Sequence, residues 1–190
     1  MVEEAVNAVF DEFFMRMALR EAEKAAADGE VPTGCVVVEE PDDPDAVPAM
    51  ARILGRAHNQ TEMLSDATAH AEMLALSSAF AARGNWRLAR TRLYVTKEPC
   101  PMCAGAIILA RVGTVVWGID DPKRGGGTTF NIFGHPGINH HPAIVRGVLE
   151  EQCRDVIVSF FRRRRAGCGI IQPGNNLKDE EKVQNGSYAD

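Results

Sequence analysis

The chain has 190 residues, 45% hydrophobic and 25% charged, with a formal net charge of −5. That length suits one domain able to bury about 70% of the surface its unfolded form exposes, without disulfide staples. Five cysteines, no basic-then-apolar leader and no apolar run approaching ~18 residues argue against a secreted disulfide scaffold or a membrane protein. They predict a soluble, cytoplasmic chain whose thiols serve chemistry or metal.

Apolar residues at Phe10, Phe13, Phe14, Met17, Ala18 and Ala22 recur at helical spacing, which predicts an amphipathic helix over about residues 11–28, closed by Gly29. "GCVVVEE" and "ARILGRAH" read as strands of a hairpin, joined by "PDDPDAVPA", whose prolines and aspartates require an exposed loop. A helix is predicted over about 68–82, ending near Gly84, followed by the strand "TRLYVTKE", a helix from Pro101 to about Ala110 and the strand "TVVWGI". The loop "DDPKRGGGTTFNIFGHPGINHHP" then leads to a helix from about Val148 to Arg165. Beyond Ala166 no periodic apolar face remains, so one domain over 1–166 and a flexible tail over 167–190 are expected. Alternating strands and helices indicate an α/β layered fold, and the early hairpin makes its sheet mixed.

Within the predicted third-segment helix, "ATAHAEMLAL" carries His70 and Glu72 among alanines and leucines. Thirty residues on, "EPCPMCAGAI" sets Cys100 and Cys103 one helical turn apart, with Pro101 suited to the first helical position. Two thiolates and an imidazole form a good site for Zn²⁺. A structural zinc usually takes four protein ligands, whereas this pair has one conspicuous partner, His70, which leaves a position open to water. Glu72 then has a use in moving that water's protons. Taken singly, His70 suits a hydrogen-bonded core histidine, Glu72 a capping carboxylate, and each cysteine a small buried hydrophobe. The order and spacing of all four together is the zinc deaminase signature.

The chain resembles the bacterial tRNA-specific adenosine deaminases from about Phe13 to Arg165. The resemblance runs through "MRMALREAEKAAADGEVPTGCVVV", "HNQTEMLSDATAHAEMLAL", "LYVTKEPCPMCAGAIILARVGTVVWGIDD", "HPGINH" and "FFRRRR". It implies a cytidine-deaminase-like three-layer α/β/α fold with a mixed five-stranded sheet, a homodimer, and conversion of adenosine to inosine at the wobble position of a tRNA anticodon. Carried over residue by residue, it implies His70, Cys100 and Cys103 as zinc ligands and Glu72 as proton shuttle. It also implies Asn59 as a hydrogen-bonding partner of the flipped base, and Val31 and Pro32 as an apolar wall. Asp121, Lys123 and His135 match loop positions that contact the anticodon stem-loop.

Phe161 and Arg162, in the run of aromatic and basic residues from Phe160 to Arg165, suit an anticodon loop, whose bases stack while phosphates pair with guanidinium groups. The same run also suits core phenylalanines beside cations that complement a helix C-terminus. Charge is uneven: residues 1–50 hold 13 acidic and 3 basic side chains, residues 51–170 hold 9 and 16, so the central region can face a polyanion. "KRGGGT" lacks a complete phosphate-loop motif and is not read as a nucleotide site. The chain departs from the resemblance in its long "PDDPDAVPA" loop, in Lys97 where an apolar residue is common, and in its tail. Two other activities fit the same motifs: deamination of a small substrate such as guanine or cytidine, and a non-catalytic, zinc-stabilised RNA-binding subunit. The second has no need of Glu72.

Overall fold

The computed structural model describes residues 2–41 and 47–167. Part of the predicted "PDDPDAVPA" loop and the predicted tail from residue 168 onward lie outside the described residues. The elements run α1 (Val2–Ala27), β1 (Gly34–Glu39), β2 (Ile53–His58), α2 (Thr61–Leu64), α3 (Ala71–Arg83), β3 (Thr91–Lys97), α4 (Pro101–Leu109), β4 (Thr114–Ile119), β5 (Ala143–Arg146) and α5 (Glu150–Arg165).

The five strands form one sheet in the order β2-β1-β3-β4-β5. β1 is antiparallel to both β2 and β3, and β3, β4 and β5 are parallel, so the sheet is mixed as expected. The period of two along each strand sorts side chains into two cores. Val37, Leu93, Val95, Val115 and Trp117 pack with Ala75 and Ala79 of α3 and Ile107 of α4. Val36, Val38, Tyr94 and Val116 pack on the other face with Phe14, Met15 and Ala18 of α1 and Cys153 of α5. Helices on both faces of one sheet make the three layers.

Where the structure departs from the sequence reading, local chemistry explains it. α3 begins at Ala71 rather than near Thr68, because Asp66 accepts hydrogen bonds from the Thr68 N–H and hydroxyl and turns the chain before the helix starts. β5, unpredicted, lies in the supposed long loop; its four residues are mostly exposed at the sheet edge and show no apolar alternation. α2 is a single turn, too short for a periodic signal. α5 starts at Glu150, after Leu149 takes a left-handed backbone with φ of 51°. The loop between β4 and β5 is pinned by Phe133, which stacks on Trp117 at 6.3 Å between ring centroids.

Candidate active site

Two helix N-termini meet where β3 ends. His70 is the N-cap residue of α3, and Cys100 is the N-cap residue of α4, with Cys103 one turn further on. The His70 side chain makes no capping bond to α3, and it turns toward the sulfurs at the start of α4. The Cys100 and Cys103 sulfurs each lie 3.5 Å from His70 Nδ1 and 3.6 Å from one another. Ligands on a tetrahedral zinc, at about 2.0–2.3 Å, stand about 3.5–3.8 Å apart, so this triangle fits that ion in both donor chemistry and size.

Among the described residues no fourth side chain joins the cluster. Cys35 is buried in the α3/α4 core, and Cys153 lies in the core on the opposite face of the sheet. The Cys103 hydrogen bond and, more weakly, His70 lower the Cys100 thiol to about 4 against the opposing effect of burial. The same shared hydrogen bond, with burial, pushes Cys103 up. The two sulfurs face one another at a positive helix end, where a bound cation would take both as thiolates.

Glu72 sits in the first turn of α3 and is 3% exposed. Burial raises its carboxyl above the usual carboxylate range, opposed by its own backbone N–H and by His70. A buried carboxyl beside a metal triangle suits a group that both accepts and returns protons. Glu72, His70 and Cys100 line a cavity of about 250 Å³. That lies below the ~300–1,000 Å³ of drug-sized pockets and suits one heterocycle.

Of the other residues singled out in the sequence, Val31, Asn59 and Asp121 line the same cavity. Pro32, Lys123, His135, Phe161 and Arg162 are not among its lining residues. Pro32 is buried beside it in sequence, Lys123 and Arg162 are exposed, and Phe161 is half-buried against Phe160, whose ring is fully buried in a T-shaped pair. His135 is exposed and accepts a hydrogen bond from the Gly137 N–H in its own loop. From the arginine run it is Arg164 that reaches the cavity lining, because helical spacing turns it toward the site while Arg162 faces elsewhere.

Two buried carboxylates that sequence reasoning missed hold the walls. Glu30, 1% exposed, accepts hydrogen bonds from Asn59 Nδ2 at 2.9 Å and from the Glu62 and Met63 N–H groups at 2.8 Å, so it orients Asn59 and caps α2 together. Glu98 accepts from the Asp121, Gly127 and Thr128 N–H groups and the Thr128 hydroxyl. The Gly-rich "KRGGGT" run is therefore an anion cradle after all, filled by the protein's own carboxylate. A Cβ on Gly125 would stand 2.2 Å from Glu98 Oε2 and would push that carboxylate out of its hydrogen bonds. The available signal was positional: each acid directly precedes a site segment, Val31-Pro32 or Pro99-Cys100.

The family defined by the cytidine and deoxycytidylate deaminase zinc-binding region matches residues 8–119. The chain is 46% identical over 156 residues to a tRNA-specific adenosine deaminase of Bacillus subtilis (strain 168), spanning 82% of this chain and 91% of that protein. A solved structure from studies of A-to-I editing by tRNA:A34 deaminases at the wobble position of transfer RNA superposes with a TM-score of 0.68 at 37% identity, covering 76% of this chain and 98% of that one. A guanine deaminase from Nitrosomonas europaea, 22% identical with a TM-score of 0.61 over 78% of this chain and 83% of its own, shares the fold. The chain belongs to the zinc-dependent cytidine and deoxycytidylate deaminase family and, within it, to the tRNA-specific adenosine deaminases.

Proposed function

We propose that the chain deaminates adenosine to inosine at the wobble position of a tRNA anticodon, presented by its stem-loop, and that it works in the cytoplasm as a homodimer. The observation that carries the chemistry is the triangle of His70, Cys100 and Cys103 with the Glu72 carboxyl beside it in one small cavity. The relatives at this level of identity are named for tRNA adenosine, which supports the choice of substrate over guanine or cytidine. No helix among the described residues is long and apolar enough to cross a membrane.

Zinc held by the three side chains supplies a Lewis acid that makes water nucleophilic at neutral pH. The chain's own residues do the rest. Glu72 takes a proton from the attacking water and delivers protons to N1 and to the amine leaving C6, so that water and adenosine become inosine and ammonia. Asn59, held by Glu30, offers its amide to the base, and Val31 forms part of the pocket wall. The basic end of α5, through Arg164, faces the strand's phosphates. Phe161, Arg162, Lys123 and His135, which lie outside the cavity lining, make the outer contacts with the anticodon loop.

The test is an assay of the purified protein on a stem-loop with adenosine at the wobble position, on guanine and on cytidine. Inosine in the RNA is the expected product. Ammonia from guanine or cytidine without inosine in the RNA would overturn the assignment.

A further inference from the structure

We propose that Lys97 and Arg124, which line the cavity and bond opposite oxygens of Asp121 through an ammonium and a backbone N–H, are specificity-determining residues that take a phosphate of the strand beside the target adenosine. The proposal rests on the reading of the substrate as a polynucleotide.

Leu93 and Val95 point into the α3/α4 core, and the period of two puts Lys97 on the same face one step further, where that row leaves the core and enters the cavity. Its ammonium donates to Asp121 Oδ2. The other oxygen of that carboxylate, Oδ1, accepts the backbone N–H of Lys123 at 3.0 Å and of Arg124 at 3.1 Å. Both oxygens are therefore engaged from inside the protein. Asp121 acts as a brace that fixes the loop and the lysine rather than as an outward-facing acceptor.

Glu62 and Glu72 also line the cavity, so what distinguishes Lys97 and Arg124 is unused donors rather than net charge. Glu30 and Glu98 are engaged in the internal hydrogen bonds that hold the walls. Lys97 uses one of its three N–H donors on Asp121, and its side chain remains 32% exposed. Arg124 lines the same cavity, and its exposed guanidinium has no hydrogen bond or ion pair among the described residues. The two spare donors of Lys97 and the guanidinium of Arg124 are therefore cationic groups beside an already bonded carboxylate that the fold itself does not use. A phosphodiester supplies the missing anion, matching an ammonium point charge and a guanidinium fork. Every nucleotide in a strand carries such a group, whereas a free nucleoside or base carries none, so the edge selects for adenosine within a strand.

The experiment measures binding of the wobble-adenosine stem-loop by fluorescence anisotropy across a salt series, in an E72A background that binds without conversion. Zinc content and melting temperature are recorded for each protein. Relative to that background, K97M and R124M each reduce the slope of log affinity against log salt by about 0.7, as expected for one lost phosphate contact on single-stranded nucleic acid. K97R and R124K keep the slope. With Glu72 restored, K97M raises KM for the stem-loop while kcat stays within about twofold. R124M alters an exposed side chain and carries the test even if K97M loses its fold. Inosine formation by the unsubstituted chain is the control: its absence overturns the polynucleotide reading and this one with it. Inosine formation together with unchanged slopes in K97M and R124M overturns this proposal alone.

Discussion

At the cavity floor, the two-residue separation of His70 and Glu72 gives them different work. His70, in extended backbone at the N-cap, swings toward the two sulfurs, while Glu72, already helical, is buried under the cavity. Removing the carboxylate removes proton transfer and leaves the three metal-directed side chains in place. Glu72→Ala is accordingly expected to lower kcat by at least ~10²–10⁴-fold while zinc per chain, measured by atomic emission, is unchanged. Retained turnover would mean that another group moves the protons. A second buried group gives a pH prediction. The Tyr94 hydroxyl donates to Asp11 Oδ1 at 3.0 Å, and burial, then the Asp11 charge, pushes its pKa up. A raised folded pKa means the phenol's contribution to stability is complete below the unfolded value near ~10 and is lost as pH rises above it. In urea titrations the wild type should lose stability relative to Tyr94→Phe above about pH 10, whereas at pH 7 the Phe variant should be the weaker by about 1 kcal/mol. A constant difference across that range would show that Tyr94 does not couple to folding.

At the scale of elements, the site is made by helix ends brought to one edge of the sheet. α3 reaches it because β2 and α3 pack closely at Gly55, and α1 is seated by Gly34, where an added Cβ would stand 2.0 Å from the Ala18 carbonyl oxygen. Backbone cannot yield as a side-chain tip does. Gly34→Ala should therefore destabilise the fold by about 3 kcal/mol, read from the urea midpoint, by prising α1 off β1. A loss below about 0.5 kcal/mol would mean that the helix shifts without strain. The long helices and central strands were legible from period, since Phe14, Ala18 and Ala22 or Val36 and Val38 repeat as a packed face requires, although α1 starts at Val2, well before the expected residue 11. β5 was not legible, because an exposed four-residue edge strand carries no apolar alternation and exists only through its pairing with β4.

For the whole molecule, chemistry and substrate were legible to different degrees. His70, Glu72, Cys100 and Cys103 could be named from spacing because zinc and proton transfer demand particular residue types, and the fold brings them together. The supporting groups were hidden. Glu30 and Glu98 read as ordinary acids in a chain with 26 of them, and only burial against backbone N–H groups shows them to be braces. Likewise the four consecutive arginines that end α5 are alike in sequence, and only the packing of the helix selects Arg164 for the cavity. By itself the sequence determined the reaction's ingredients, the metal's ligand types and the layered fold, because residue chemistry and periodicity are local properties. Tertiary structure alone decided which charges cancel inside the protein and which face outward. That partition depends on distances between segments far apart in the chain, as with Lys97 and Asp121.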